Sequence, residues 1–283
     1  MISCPTVEKR VIRTHYNVST LFYRLLWGNH IHHGLWHGEE SPRQAARQLT
    51  ERMISEIGIE NAAHVVDIGC GMGGSSIHLA KHHDCHVTGV TISSFQRRWA
   101  AMSSRWHGTA SRTNFICHDA ESVELPAQSF DVAWSIECTE HLFDKPAFFR
   151  RMAGWLKPGA RVGICAWLAG DDPLTDVGRQ QVYDVCEGFF CPSLGSEADY
   201  VQWLTDAGLT VTRTFDWTQQ VLRTWEICLE RINRTAMRKV AKVVDRGQLI
   251  FLDRFQTILD AYRTRAMKYG CFIAEKPATE VHS

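Results

Sequence analysis

The chain has no surplus of either charge: 31 basic and 31 acidic side chains cancel across 283 residues. A dedicated nucleic-acid binder usually shows a basic excess, so the balance argues against that class without excluding a local basic patch. Long apolar runs are also missing. No stretch reaches the roughly 18 uninterrupted apolar residues that a spanning helix requires. The opening MISCPTVEKRVIRTHY puts charges where a secretory signal needs its apolar run, which argues against export. The ten cysteines include no C-x-x-C pair, and several, such as Cys165 in VGICAW and Cys271 in YGCFIA, sit inside apolar runs. Such cysteines are usually small buried hydrophobes. The expectation is a reducing cytoplasm, with no disulfide frame and no zinc cluster. There is no internal repeat and no low-complexity linker. What remains, at 45% hydrophobic and 22% charged, is an ordinary globular composition. The length suits one elaborated domain or a domain with a cap.

From about residue 43 the pattern alternates helix and strand. Ser41 can cap a helix, Pro42 fits its first position and Gln44 completes a capping box. Ala45, Leu49, Met53 and Ile57 then recur at a spacing of four, and Gly58 ends the helix. Strands are expected at 64–68, 85–92, 113–117, 130–136 and 161–167, with helices at 77–83, 95–106 and 148–156. The last of these stops at Lys157-Pro158-Gly159. This rhythm predicts an α/β fold: a Rossmann-like, doubly wound, mostly parallel seven-stranded sheet. Beyond Trp167 the pattern is irregular and partly helical. A helix over 197–207, a strand over 209–217, a long basic amphipathic stretch over 221–244, a helix through Phe251, Phe255, Ile258 and Tyr262, and a last strand over 269–275 follow. Residues 1–40 are expected to form a helical lid. Residues 41–283 form the main domain, with cap insertions about 170–200 and 221–265, over the carboxyl edge of the sheet.

The chemistry concentrates in Val65-Val66-Asp67-Ile68-Gly69-Cys70-Gly71-Met72-Gly73-Gly74, where a strand enters a glycine turn that opens a helix. Glycine permits positive φ and close approach of a ligand. Gly69, Gly71 and Gly74 satisfy G-x-G-x-x-G, so a nicotinamide dinucleotide is one reading. Two features oppose it. Asp67 stands two residues before the first glycine, where a carboxylate suits an ammonium or backbone amides better than a pyrophosphate. The second strand ends Gly89-Val90-Thr91-Ile92-Ser93, without the acid that holds a ribose in the dinucleotide fingerprint.

VVDIGCGMGGSS resembles the first motif of class I S-adenosylmethionine-dependent methyltransferases. GVTISSFQ resembles the form that replaces the usual acid in the tocopherol methyltransferase and cyclopropane fatty acid synthase groups. LPAQSFDVAWSIECTEH and LKPGARVGICAW resemble the next two motifs. HYNVSTLFYRLLWGNHIHHGLW and AMKYGCFIAEKP are similar to the tocopherol methyltransferase type, so the resemblance spans nearly the whole chain. It implies S-adenosyl-L-methionine as cofactor. It further implies that Asp67 with Gly69, Cys70 and Gly71 holds the amino-acid portion, and that Thr91, Ile92 and Gln96 surround the ribose and adenine. Asp119 and Ala120 would meet the adenine edge, Ile136 and Glu137 would lie by the sulfonium, and Tyr16 would join the site from the lid. Gln96 replaces the missing acid.

Other residues carry two readings each. His30, His32, His33 and His37 lack partners at ligand spacing apart from Glu39 and Glu40, so no metal is assigned. His32 either faces the acceptor or is a surface or capping histidine. Glu137, Glu140 and His141 follow the fourth strand, at the edge where open α/β sheets bind ligands. His141 is the first candidate for a base, then His32, with Glu140 beside them; a capping or packing role is the alternative. Trp27, Trp36, Phe189, Phe190, Trp217 and Trp225 fall in cap segments, as core or as the wall of an apolar acceptor pocket. Arg231, Arg234, Arg238, Lys239 and Lys242 form a solvated helix face or attract an anionic substrate or lipid surface.

The leading expectation is methyl transfer to a small, apolar, aromatic or isoprenoid-like acceptor in secondary metabolism. C-methylation of an alkene in a lipid or prenyl chain is the alternative, and a non-catalytic cofactor-binding protein is the third reading. The expected partner is the small-molecule acceptor, with no nucleic acid, no transmembrane segment and a homodimer as the possible assembly.

Overall fold

The computed structural model describes residues 1–27, 31–60, 63–171, 173–234 and 246–278. Its centre is a seven-stranded sheet in the order β4-β3-β2-β5-β6-β9-β8. The strands are β2 (His64–Ile68), β3 (His86–Thr91), β4 (Thr113–Cys117), β5 (Phe130–Ile136), β6 (Leu156–Ala169), β8 (Thr210–Asp216) and β9 (Met267–Glu275). The first five run parallel, and β9 pairs antiparallel with both β6 and β8. The chain moves outward from β2 through β3 to β4, then returns to the other side of β2 as β5. That reversal opens a crevice at the carboxyl ends of β2 and β5, where such sheets take ligands.

The capping signals act as the residues predict. Helix α2 (Pro42–Ile57) begins on a Ser41–Gln44 capping box and ends on Gly58 in the left-handed conformation. Its stripe of Ala45, Leu49, Met53 and Ile57 is fully buried. Truncating Leu49 or Met53 to alanine would cost roughly 2–5 kcal/mol. Helices α3 (Gly74–His82), α4 (Ser94–Trp106) and α5 (Lys145–Trp155) complete the parallel half.

The structure departs from the sequence expectation in four places. The helix stops at Trp155, just ahead of Lys157-Pro158-Gly159 as expected, but that tripeptide lies inside β6, which starts at Leu156 rather than 161 and whose ladder to β5 shifts register between Phe130 and Val132. A proline is tolerated at such an irregularity. The basic stretch from Val221 is broken: α8 (Thr218–Val221) ends before α9 (Arg223–Arg234), and residues 235–245, with Arg238, Lys239 and Lys242, lie outside the described residues. A two-residue strand β1 (Ile2–Ser3) pairs with β7 (Ser193–Leu194), which no local pattern announces. Within the glycine run, Gly73, which the G-x-G-x-x-G match leaves out, joins Gly69 and Gly71 in positive φ and caps α3 at +81°.

The cap consists of α1 (Lys9–Trp27), α6 (Asp176–Phe189), α8, α9 and α10 (Arg246–Arg263), while α7 (Glu197–Asp206) packs with α5 on the sheet beside β8 and β9. One buried cluster runs from Ile12 and Leu35 through Phe189 and Trp225 to Tyr262 and Tyr269, so the N-terminal segment shares a core with the late helices and the sheet. Trp36 Nε1 donates to Thr224 Oγ1 at 2.8 Å and its backbone N–H donates to the Gln220 carbonyl at 2.9 Å. Among the described residues no helix is long and apolar enough to cross a membrane.

Candidate functional site

Two adjoining cavities lie at the carboxyl edge. The larger, a cleft of about 750 Å³ including its mouth, is lined by the turns after β2, β3, β4 and β5 and roofed by α1. Tyr16, Gly69, Gly71, Thr91, Ile92, Gln96, Asp119, Ala120, Ile136, Glu137 and His141 all line it. The smaller, about 500 Å³, is a chamber walled by Trp167, Phe189 and Trp225 and by His32, His33, Glu140 and His141. Tyr16, Ile31, Glu137 and His141 border both.

The floor of the cleft is the glycine turn. Gly69 has φ +78°, and a Cβ there would strike Cys138 at 2.3 Å. Gly71 has φ +52°, and a Cβ there would meet nothing nearer than the Gly69 carbonyl at 4.0 Å. The first glycine therefore admits the neighbouring strand's turn, whereas the second leaves a backbone-lined cradle facing open space. The backbone N–H groups of Gly69 and Cys70 are bonded to the Val90 carbonyl, which ties this turn to β3.

Asp67 and Cys70 do not line the cleft. The Asp67 carboxylate is buried behind the turn and accepts from Ser76 Oγ at 2.5 Å. Burial pushes its pKa up to about 7 against the opposing effect of that hydrogen bond. Cys70 packs toward β3, where a Cβ on Gly89 would meet its sulfur at 2.9 Å. Where an acid would follow β3, Thr91 Oγ1 donates to Gln96 Oε1 at 2.8 Å, with both side chains buried. The resulting wall is polar and uncharged.

Asp119 is engaged from above. Lys9 on α1 donates to Asp119 at 2.7 Å and to Glu121 at 2.6 Å. Burial opposes the ammonium, yet those two bonds raise the Lys9 pKa above its ordinary value. Asn17 and Ser93 join α1 to the end of β3 by a 2.7 Å bond.

At the junction of the cavities stands His141. Its Nδ1 lies 3.1 Å from the Phe190 carbonyl and its Nε2 2.7 Å from the Tyr16 hydroxyl. A carbonyl can only accept, so the ring hydrogen sits on Nδ1 and Nε2 presents its lone pair. Burial lowers the pKa to about 4, keeping the imidazole neutral near pH 7. His32 is arranged likewise, with Nδ1 2.8 Å from the His33 carbonyl. Burial lowers its pKa too.

Glu137 has φ +53°, a rare conformation for a residue other than glycine. Its Oε1 accepts from the His33 backbone at 2.8 Å, His33 Nδ1 at 2.9 Å and the Tyr269 hydroxyl at 2.8 Å. Burial pushes this carboxyl upward, but the His33 contacts outweigh it and hold the pKa below the ordinary value. Glu140 behaves in the opposite way. One oxygen accepts from the Trp167 backbone at 2.5 Å, the other has no partner, and burial pushes the pKa up to about 8. Two carboxyls three residues apart are thus held in different protonation states at neutral pH.

Several site residues went unread in the sequence. Lys9, Ile31, His118, Glu121, Cys138 and Leu142 line the cleft, and His33, weighed in the sequence only as a metal ligand, lines the chamber. Cys138 lies inside the fourth-strand motif, directly after Glu137, which was the available signal; Lys9 had none. Of the other histidines, His30 lies outside the described residues and His37 is exposed. Among the described residues, the group that does bring possible metal ligands together is Glu51, His78 and His83, within 4.8 Å of one another along α2 and α3. Among the cap aromatics, Phe189 and Trp225 line the chamber, whereas Trp36 and Trp217 are core and the side chain of Trp27 lies outside the described residues.

A methyltransferase-domain family matches residues 65–159. A probable tocopherol O-methyltransferase from Oryza sativa subsp. japonica is 26% identical over 93% of this chain and 77% of its own length. A cyclopropane synthase from Mycobacterium tuberculosis superposes with a TM-score of 0.84 at 18% identity, covering 96% of this chain and 99% of that one. A geranyl diphosphate C-methyltransferase from Streptomyces coelicolor A3(2), solved with S-adenosyl-L-homocysteine, gives 0.73 at 18% identity, covering 96% and 99%.

Proposed function

Because this chain is a class I S-adenosylmethionine-dependent methyltransferase, we propose that it methylates a small, apolar, aromatic or isoprenoid-like acceptor held in the chamber beside His141. The observation that carries this reading is the junction itself: a neutral imidazole with a fixed lone pair stands between a glycine-floored cleft and an aromatic-walled cavity.

The cleft suits the cofactor. The open cradle at Gly71 accepts a backbone approach that any side chain would fill, and the Thr91–Gln96 pair offers neutral polar contacts for a ribose. When bound, S-adenosylmethionine supplies an activated methyl group on a sulfonium. We assign Gly69 and Gly71 to the amino-acid portion, with Asp67 acting through the turn it braces. Thr91, Ile92, Gln96 and Ala120 take the ribose and adenine. Asp119 acts mainly by anchoring the lid through Lys9. Ile136 and the ionised Glu137 border the reacting centre.

In the chamber, Trp167, Phe189 and Trp225 orient an apolar ring or chain and exclude water. His141 Nε2 takes the proton that an acceptor hydroxyl must lose, and its Nδ1–H holds the ring through the Phe190 carbonyl. Tyr16 donates to that nitrogen before the acceptor arrives. Residues 1–40 serve as the lid, on the strength of the Lys9, Tyr16 and Asn17 contacts. A neutral Glu140 donates a hydrogen bond to a polar atom of the acceptor. The relative named for tocopherol supports an aromatic, prenylated acceptor. The C-methylation alternative draws on the same aromatic wall, since aromatic faces stabilise a cation. Ten thiols, of which only Cys117 is exposed, support a reducing, cytoplasmic setting.

The test is transfer of labelled methyl to a panel of prenylated phenols, simple phenols, isoprenoid alkenes and polar amines. Labelled phenolic product is expected. Label on polar amines alone would overturn the acceptor reading.

A further inference from the structure

Helix α4 is built inside out. The residues it buries are Gln96, Ala100 and Ser104. Its apolar stripe of Phe95, Trp99, Met102 and Trp106, at helical spacing, lies on another side, with Phe95 and Trp99 half-buried and Met102 and Trp106 exposed. Met102 is 55% exposed, and Trp106, at 87%, is the most exposed large apolar side chain among the described residues. Folding gains nothing from a tryptophan in water, so packing does not account for this arrangement.

The surroundings are cationic. Arg97, Arg98 and Arg105 on α4, Arg43 and Arg47 on α2 and Lys81 on α3 are all exposed. Among the described residues none of them pairs with a carboxylate, whereas Arg213, Arg254, Arg265 and Lys268 on other faces do. The first turns of α2, α3 and α4 contain no acid. Arg43 even occupies the first turn of α2, against the helix dipole. Between the three helices opens a cleft of about 1040 Å³ including its mouth, with Met72, Ile77 and Trp99 at its base and Arg43, Arg47 and Lys81 on its rim.

We propose that the outer face of α2, α3 and α4 docks the enzyme on an anionic phospholipid bilayer. Trp106 and Met102 enter the interface, where tryptophan is favoured, and the arginines and Lys81 meet headgroup phosphates. Charge complementarity selects this occupant. A second copy of the chain in a two-fold contact would press the same cations together. A soluble polyanion would make no use of Met102 and Trp106.

The test is flotation of the full chain with vesicles of phosphatidylcholine alone and with about one-third phosphatidylglycerol. Binding is expected only to the anionic vesicles, and weakened by salt. Trp106→Glu combined with Met102→Glu, and separately the charge-reversed Arg43→Glu, Arg47→Glu, Lys81→Glu chain, should each lower vesicle affinity by on the order of a hundredfold. S-adenosylhomocysteine affinity and the circular dichroism spectrum should be unchanged, which separates lost docking from lost folding. Equal binding to neutral vesicles, or anionic binding indifferent to both variants, would overturn the proposal. So would sedimentation showing a dimer that Trp106→Glu dissolves, or binding to a DNA duplex as tight as to vesicles and unaffected by Trp106→Glu.

Discussion

The cleft and the chamber share a wall but are built differently. The cleft is made of turns: the glycine run after β2, Thr91 to Gln96 after β3, Asp119 to Glu121 after β4 and Ile136 to Cys138 after β5. Each is local in sequence and owes its shape to the backbone. The chamber is made of side chains drawn from α1, the segment before α2, the turn after β5, the end of β6, α6 and α9, and its polar groups are buried beside aromatic rings. Backbone cradles recognise a common ligand with little dependence on side chains. Side-chain chambers change with each substitution, and acceptor choice belongs there.

That contrast breaks most readily at the glycines. Gly71→Val should lower S-adenosylhomocysteine affinity by roughly 3 kcal/mol, about a hundredfold, in a chain that still folds. Gly69→Val should instead destabilise the fold, because its side chain collides with Cys138. Calorimetry with thermal melts separates the two, and retained affinity in Gly71→Val would remove the cradle from the cofactor site. On the chamber side, His141→Ala should slow methyl transfer by on the order of a hundredfold, with cofactor affinity held within about threefold. An unchanged turnover would leave His141 as packing. Tyr16→Phe keeps the ring and loses only the hydroxyl bonded to His141. Steady-state kinetics should register about a tenfold loss, which parallels one neutral hydrogen bond.

The smallest effect is a pH slope. Glu140 has its pKa raised in the fold from 4.5 to about 8, so the native state keeps a proton that the unfolded chain has released. Stability therefore falls as pH rises through that window. Asp67, raised from 3.8 to about 7, adds to the same trend up to its own limit. Between pH 7 and 8 the slope belongs chiefly to Glu140. Thermal melts of Glu140→Gln should be flatter there than those of the native chain. An identical slope would mean Glu140 is ionised in the fold.

Much of the sheet was legible because its signals are local. Ser41, Pro42 and Gln44 start α2 and Gly58 stops it, since capping satisfies backbone groups within a few residues. The strands 64–68 and 130–136 have the expected bounds because a buried parallel strand reads as a short apolar run, and the half-exposed edge strand 113–117 also keeps its expected bounds. Beyond Trp167 the helix over 197–207 and the strands over 209–217 and 269–275 still hold to within two residues, but the connections between them do not. The break at Leu222 and the pairing of β1 with β7 depend on distant contacts that leave no periodic mark.

The site divides along the same line. The run from Asp67 to Gly74 determined by itself that a strand would enter a ligand-accepting turn, because glycine alone lacks a Cβ and so reaches positive φ without steric cost. Which glycine does what was decided by neighbours: Cys138 stands over Gly69, while nothing stands over Gly71. Residue type likewise marked Glu137, Glu140 and His141 as capable of proton chemistry. Their protonation states were decided by tertiary structure, since a carboxyl's pKa depends on what replaces water around it. His33 keeps Glu137 ionised, burial without a second partner keeps Glu140 protonated, and the Phe190 carbonyl, 49 residues further along the chain, sets the tautomer of His141.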